Sequence, residues 1–576
     1  MTKILFMRYF LVFPTIFMTF LLKGCSTPTP QYPTVHNPYK VDTVQGQPSF
    51  SIDVLKAFGD SYTARDYSES SGVPNWTEFL NGLIDTSKVE NYAIGGARAQ
   101  DHDSSSFGQQ ISKSNSIKNK ELIVVYFGYN DISRVGRSED SYAASRAAYS
   151  AGVNRLVSMG AASGNNRIFV TQIHDWSRNP GVDSAATKDA VRTWNNHVAS
   201  VANTNPNIIA VDLFTVFERV MDNPAQFGLV NVTDDNSARS GSDYLFHDDI
   251  HFGSRGQTLI ARTYHHYLTR GWDWANALNA GGSASGQLRN DVANGALNFN
   301  GGRSINNNMR FIPIIAQGSK PVVSGLAFDA KTQPLFGLDP GRVGFAHGYT
   351  DKKTLQTPNM GNLNKTDIQS ASTALYWMQP SGGFFYTAEV SQNRHQFEQH
   401  AHDNILRNSI QNRRSANTVG FEGAVRYTFG LGSTSITPWV SFSQEQHTLH
   451  ASTDRSLYTT EVSYRQSKVT DTYSGIGLDF EVSKMPLRGG HSLVMGGGIN
   501  HQRALQRDAL RLQSSEAING IVSTEVFDRS FEPRTQLSLN ADLLIKQQYQ
   551  LGLTYRVEPE QRRTSQALEL KAKIPF

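Results

Sequence analysis

The chain has 576 residues, too many for one ordinary domain, so two or more are expected. Its 54 Lys+Arg against 50 Asp+Glu leave a formal charge of +4, a near-balance that gives no reason to propose nucleic acid as partner. Mean hydropathy is −0.41 and no run of eighteen apolar residues follows the N-terminus. That excludes a bundle of membrane helices but not a transmembrane β-barrel, whose alternating strands dilute their own hydropathy.

The N-terminus reads as an export signal. Lys3 and Arg8 form a positive region, and residues 9–22 form an apolar stretch too short for a comfortable membrane span. Leu22-Lys23-Gly24-Cys25 then resembles a bacterial lipobox, which would make Cys25 a lipidated mature N-terminus. Lys23 departs from that pattern, since the position is usually small or uncharged. The other reading is ordinary signal cleavage nearby, with Cys25 incidental. Cys25 is the single cysteine, so neither an internal disulfide nor a cysteine metal site can form. Residues 1–25 are thus expected to be a signal peptide, and the Pro-rich residues 26–48 an extended tether.

Residues 49–275 have an α/β texture. Short apolar runs at 54–58, 122–127, 167–170 and 208–211 read as strands. They alternate with helix-like stretches predicted at 140–159, 186–202 and 256–268, which implies a parallel sheet covered on both faces. Residues 276–310, dense in Gly, Asn, Ser and Ala, are expected to be a linker with one short helix around 287–297.

From 311 to 576 the periodicity drops to two. Val419, Phe421, Gly423, Val425, Tyr427 and Phe429 point one way while Glu422, Ala424, Arg426 and Thr428 point the other. The pattern recurs at Ile476-Leu478-Phe480, at Leu537-Leu539-Ala541-Leu543-Ile545, at Tyr549-Leu551-Leu553-Tyr555 and at Leu568-Leu570-Ala572-Ile574-Phe576. About a dozen such strands, many ~10 residues or longer, suit a tilted membrane-spanning barrel. Strand length and the terminal Phe576, which resembles the insertion signal of Gram-negative outer-membrane barrels, favour this over a soluble β-sandwich. Tyr376, Trp377, Phe384, Phe385, Trp439 and Tyr549 are predicted to form interfacial girdles.

Four short segments carry chemistry. Phe58-Gly59-Asp60-Ser61 follows the first apolar strand, where an α/β protein presents its reactive groups. Asn91-Tyr92-Ala93-Ile94-Gly95-Gly96-Ala97 is a glycine turn. Gly128-Tyr129-Asn130-Asp131 follows the strongest apolar strand, and Asp248-Asp249-Ile250-His251 precedes a helix. Singly, each is also what a turn or helix cap looks like. A serine hydroxyl needs a base within hydrogen-bond reach, and His251 is the candidate. Its tautomer needs a partner on the other ring nitrogen, and Asp248, three residues earlier, can supply one; Asp249 is the alternative.

Together and in this order the segments resemble the blocks of the GDSL (SGNH) hydrolases over residues 52–270, with Tyr62 where the family name has Leu. Pro224 to Leu229 resembles the stretch between the later blocks. With the barrel, the chain resembles GDSL autotransporter esterases. The resemblance implies a flavodoxin-like SGNH domain, a twelve-stranded all-β outer-membrane autotransporter barrel with the linker helix in its pore, and an esterase displayed on the cell surface. It implies Ser61, Asp248 and His251 as catalytic residues. It also implies the backbone N–H groups of Ser61 and Gly96 and the Asn130 amide as oxyanion donors; Gly95 is the alternative to Gly96. Carboxylic esters, lipids among them, are the implied substrates, the barrel-assembly machinery a partner, and no cofactor or metal is needed. An enzyme fixed to a membrane meets lipid at high local concentration, which favours a lipase or phospholipase. The rivals are a surface adhesin on a hydrolase scaffold and a carbohydrate O-deacetylase. Three further clusters are weaker: Asp101-His102-Asp103 as a polar loop, His265-His266 on a helix with at most one His facing the core, and His400-Ala401-His402-Asp403 as an extramembrane loop that could bind a metal.

Overall fold

Five short strands pair in parallel in the order β2-β1-β3-β4-β5. They are β1 (Val54–Gly59), β2 (Lys88–Asn91), β3 (Glu121–Tyr126), β4 (Arg167–Gln172) and β5 (Ile208–Asp212). The computed structural model describes residues 51–65, 72–84, 86–135, 142–182, 185–235, 243–288, 309–318, 323–333, 340–350, 353–359, 362–403, 408–456, 461–517, 521–529, 533–546, 549–559 and 564–575. Cys25, the tether and Phe576 lie outside them. Every residue of β3, β4 and β5 is buried, as a parallel sheet with helices on both faces requires. β2 was not predicted: Lys-Val-Glu-Asn has no apolar run, because it is a half-exposed edge strand.

Among the described residues seven helices complete this unit: α1 (Trp76–Ile84), α2 (Phe107–Lys113), α3 (Tyr129–Val135), α4 (Ala143–Ser158), α5 (Ala185–Ala202), α6 (Leu213–Asp222) and α7 (Ser254–Leu288). The strand order 2-1-3-4-5 is that of flavodoxin-like sheets, in which ligands bind beyond the carboxyl ends of the strands.

α7 corrects the expected linker. The helix predicted to stop near 268 runs on for 35 residues in all, about 52 Å, so 276–288 are helical. Ala-Gly-Gly-Ser-Ala-Ser-Gly is a weak helix former by propensity; a tight lumen supplies the packing instead. A Cβ at Gly281 would come 3.1 Å from the His395 ring, and one at Gly282 3.2 Å from His447. Ser285 bonds His395 Nε2 at 3.0 Å, and Leu288 packs with Ile312, Ile314 and Tyr376.

Those partners belong to a closed antiparallel barrel. Its strands are β6 (Met309–Gly318), β7 (Val323–Lys331), β8 (Arg342–Thr350) continued by β9 (Lys353–Asn359), β10 (Asn362–Ser381), β11 (Phe384–Asp403), β12 (Asn408–Tyr427) with the short β13 (Phe429–Leu431), and β14 (Thr434–Leu449). After two short outer strands, β15 (Ser452–Asp454) and β16 (Val462–Tyr464), the wall resumes with β17 (Ser467–Leu487) and β18 (His491–Arg507). Two more outer strands, β19 (Leu510–Glu516) and β20 (Val522–Phe527), precede β21 (Arg534–Ile545), β22 (Tyr549–Pro559) and β23 (Thr564–Pro575). Counting β8 and β9 as one, twelve strands form the wall, and β23 closes it against β6.

The predicted alternation is the wall's inside and outside. Val419, Phe421, Val425, Phe429, Ile476, Leu478, Phe480, Leu537, Leu539, Leu551, Leu553, Leu568 and Leu570 all stand exposed on the outer surface. So large an apolar belt is unstable in water and matches a bilayer. The girdle expectation is corrected in part: Tyr376 points inward and donates to Asp329 at 2.9 Å, and Trp439 packs on the half-buried Arg426. Phe384 and Tyr549 do face out. Period-2 parity, not aromatic character, decides the face.

On one rim the strands turn tightly, at Gly382-Gly383 and at Gly489-Gly490. On the other, β15, β16, β19 and β20 pair into a separate four-stranded sheet. This outer sheet grips the α/β unit. Arg167, the first residue of β4, donates to Glu525 (3.4 Å) and to the Val526 carbonyl (3.0 Å), and lies 4.7 Å from the Phe527 ring. Asn207, just before β5, donates its N–H to the Thr524 carbonyl and accepts from Val526 N–H, both at 2.7 Å. Along α7, Arg262 meets Asp403, Arg270 and Tyr267 meet Glu516, and Trp274 Nε1–H donates to Asp454.

Candidate active site

The site forms where β1 and β3 end. β1 delivers Gly59, whose missing side chain lets the backbone pass close to β3: a Cβ there would lie 2.7 Å from the Tyr126 carbonyl. Asp60 and Ser61 follow in a turn, closed by Thr63 N–H and Ala64 N–H to the Asp60 carbonyl. Ser61 is half-buried. Its Oγ lies 2.8 Å from His251 Nε2, across 190 residues of chain. His251 Nδ1 lies 2.8 Å from Asp248 Oδ2 and 3.0 Å from Oδ1. Asp248 is itself fixed, because its Oδ1 accepts the N–H of Ile250 (2.9 Å) and of His251 (2.6 Å). The three residues therefore form one chain of hydrogen bonds: hydroxyl, imidazole, carboxylate. Such a chain can take a proton from the hydroxyl while it attacks an electrophile.

The residues expected to supply oxyanion donors lie on the neighbouring elements. Tyr92 N–H and Ile94 N–H bond to the carbonyls of Ala57 and Gly59, so the β2 side of the ladder continues past the strand and sets Gly95-Gly96 beside the Ser61 turn. Gly96 has φ +78°, a left-handed conformation that glycine adopts without strain. Asn130 is the second residue of α3, and its side chain faces Asp60. Asp131 accepts Ala99 N–H at 3.0 Å, tying the glycine turn to α3. Asp249, the alternative partner for His251, is exposed; its carbonyl accepts Gly181 N–H.

Residues 55–263 match the family model described as GDSL-like Lipase/Acylhydrolase, and residues 325–556 match that of the Autotransporter beta-domain. The chain is a GDSL-family hydrolase joined to an autotransporter barrel. It lies in the outer membrane, with the hydrolase displayed at the cell surface. The curated proteins contain no match. Among solved structures, the translocator domain of the autotransporter NalP from Neisseria meningitidis is similar at 12% identity and TM-score 0.38, covering 52% of this chain and 98% of that one. The β domain of the Bordetella autotransporter BrkA is similar at 13% identity and TM-score 0.32, covering 46% and 98%. A Lactobacillus plantarum protein is similar at 16% identity and TM-score 0.28, covering 38% and 97%.

Behind the hydrolase site lies a buried network that the sequence motifs did not indicate. The Tyr126 and Tyr129 hydroxyls meet at 2.8 Å, and the Tyr129 hydroxyl meets His174 Nδ1 at 2.5 Å. His174 Nε2 bonds Asn179 Oδ1 at 2.7 Å. Asn179 then donates to the Ile250 carbonyl at 2.7 Å, and Tyr62 donates to the same carbonyl. Two side chains thus hold the backbone next to His251. The Tyr62 ring stacks on Tyr129, with centroids 4.0 Å apart. The only sequence signal was position: His174 and Asn179 follow the carboxyl end of β4, the edge where α/β sheets place function.

Burial sets two charges here. Complete burial pushes Asp60 up to about 8, against the lowering effect of the Tyr62 N–H bond, while Asp131 raises it further and the Asn130 amide opposes. Asp60 is thus mostly protonated at neutral pH. Burial pulls His174 down to about 4, with Asn179 and Asp175 opposing, so it stays neutral.

The remaining clusters resolve differently from expectation. His265 is buried and His266 half-buried, the latter bonding Ser456 at 2.9 Å, because the segment after β15 lies against the side of α7 that the core leaves free. His400 to Asp403 end β11 rather than forming a loop, since the strands continue beyond the membrane belt. Asp367, Glu398 and His400 converge there with ligand atoms within 4.8 Å of one another. Lys365 at 3.4 Å from Asp367 and Arg413 at 2.9 Å from Glu398 already balance the carboxylates. Asp101 to Asp103 form an exposed polar loop.

Proposed function

We propose that the hydrolase is a serine carboxylic-ester hydrolase working through an acyl-enzyme. The carrying observation is the 2.8 Å approach of Ser61 Oγ to His251 Nε2. Ser61 attacks the ester carbonyl while His251 Nε2 takes its proton. Asp248 holds the Nδ1–H tautomer and stabilises the imidazolium that forms. The oxygen that gains charge is met by the N–H groups of Ser61 and Gly96 and the amide of Asn130. Collapse of the tetrahedral intermediate expels the alcohol, which takes the proton from His251. Water, activated by the same imidazole, then releases the acid and frees Ser61. None of these steps calls on a cofactor.

Residues 1–25 serve export, with Cys25 a candidate lipid anchor, and 26–48 form a tether. Residues 49–275 are the esterase, the segment to 310 leads through the pore, and 311–576 form the barrel inserted by the assembly machinery. The test is hydrolysis of p-nitrophenyl esters by intact cells carrying the wild-type or the Ser61→Ala chain at equal surface display. Loss of the activity in the variant supports the reading; equal rates would leave a surface adhesin on a hydrolase scaffold. A panel of acyl lipids and O-acetylated sugars then separates a lipase from a carbohydrate deacetylase.

A further inference from the structure

The hydrolase is fixed upside-down with respect to its own membrane. The contacts that seat it on the barrel are made at the amino ends of its strands: Arg167 opens β4, Asn207 precedes β5, and both bind β20. Ser61, Gly96, Asn130 and His251 sit at the carboxyl ends, on the opposite edge of the sheet. α7 serves as a ruler between the two levels. It starts at Ser254, three residues after His251, and its Gly281 packs on His395 inside the barrel. His395 stands five residues above Val390, the uppermost exposed apolar residue of β11; above it the outward side chains are Gln392, Arg394, Gln396, Glu398 and His400. Twenty-seven helical residues at about 1.5 Å each separate the His251 loop from that level by a helix span of roughly 40 Å. Buried ion pairs on α7, Arg262 with Asp403 and Arg270 with Glu516, and the Trp274 bond to Asp454 hold the helix in place along this path.

An ester bond of a lipid in the surrounding leaflet lies near the top of the apolar belt. It cannot meet Ser61 unless the lipid leaves the bilayer. We propose that the substrate is an acyl ester delivered from the medium, as free molecules, micelles or foreign vesicles, and not a lipid of the membrane that carries the barrel. This rests on the ester-hydrolase reading above and reverses the sequence-based expectation that membrane attachment supplies the substrate.

Two experiments on the full-length chain displayed by cells test it. In the first, cells grown on radiolabelled acetate carry label in their own acyl lipids and in O-acetyl groups of surface sugars. Release of labelled acid is compared between wild-type and Ser61→Ala cells. Unlabelled cells of both kinds then receive micelles of acyl-labelled lysophosphatidylcholine. The expected result is a Ser61-dependent difference of ~100-fold or more with the micelles and none with the cells' own envelope. Ser61-dependent release from the envelope at a rate comparable to the micelles would overturn the proposal.

The second experiment reads geometry without activity. Val230, 71% exposed, lies on the segment that pairs through Asn231 with Leu245, at the base of the His251 loop; Met495 faces the membrane. Val230→Cys and Met495→Cys chains carry a fluorophore, with the labelled wild-type chain giving the background from Cys25, and are challenged with a bilayer-resident quencher. Quenching at 495 and none at 230 is expected; quenching at both would overturn the orientation. If neither lipid pool is hydrolysed, the ester-hydrolase reading has failed, and the labels still decide where the site points.

Discussion

Exchanging Asp248 for Asn changes little in size and much in chemistry. Oδ1 of Asp248 faces two N–H donors, those of Ile250 and His251, and only an acceptor can stay there. In the Asp248→Asn chain the amide oxygen takes that place and the NH2 turns to His251 Nδ1, where Oδ2 now lies at 2.8 Å. A donor at that point favours the tautomer with its proton on Nε2, the atom that must accept from Ser61. Losing a charge-assisted bond to the imidazolium costs ~1.5–3 kcal/mol, and the mismatched tautomer a further ~1–3 kcal/mol. The sum, roughly 3–6 kcal/mol, corresponds to ~10²–10⁴ in kcat. The assay is p-nitrophenyl butyrate hydrolysis by intact cells, normalised to displayed protein, with Asp248→Ala beside it. The Ala chain leaves Nδ1 uncommitted and is expected to be no worse than the Asn chain. An Asp248→Asn chain working at the wild-type rate would refute the tautomer reasoning.

Asn130→Ala is expected to lower kcat by ~10²-fold with the barrel still inserted, as loss of one oxyanion donor does; heat-modifiable migration on gels checks the barrel and ester turnover the site. His174 has a folded pKa depressed from 6.5 to about 4, so its contribution to stability is present above pH 6.5 and lost as the pH falls through 4. The gap amounts to at most roughly 3 kcal/mol. Thermal inactivation of the solubilised full-length chain should therefore set in at a lower temperature as the pH falls from 7 to 4, and His174→Gln should flatten that slope. Gly281→Leu puts a side chain into the His395 ring, 3.1 Å from the Cβ position, and should block surface display, read by accessibility of the hydrolase to external protease. Deleting Phe576 should likewise impair outer-membrane assembly; unchanged display would count against its role as an insertion signal.

The parts legible in the sequence were those governed by period and local order. Alternation at Val419 to Phe429 is visible without coordinates because a barrel wall has one wet and one lipid face. Three of the motif segments were legible because each follows a strand, and the fourth, Asp248 to His251, because it precedes a helix. What escaped depended on partners distant in sequence. β2 is a strand because β1 pairs with it, not because Lys-Val-Glu-Asn favours one. The glycine-rich end of α7 is helical because a lumen lined by His395 and His447 admits nothing wider. His174 and Asn179 reach the site through the hydroxyls of Tyr129 and Tyr62 and the Ile250 carbonyl, 71 residues beyond Asn179, relations that no motif spacing carries. The inward turn of Tyr376 likewise follows from its register opposite Gly344 and from Asp329, not from its being aromatic.

The most direct measurement is covalent. A fluorophosphonate reacts with a serine whose proton is drawn away by a neighbouring base. Incubated with the displayed full-length chain, it should add once, on the peptide containing Ser61. The adduct should vanish in Ser61→Ala and fall sharply in His251→Ala. Labelling that persists in Ser61→Ala, or a wild-type chain that never reacts while its barrel is fully assembled, would contradict the nucleophile at the centre of this site.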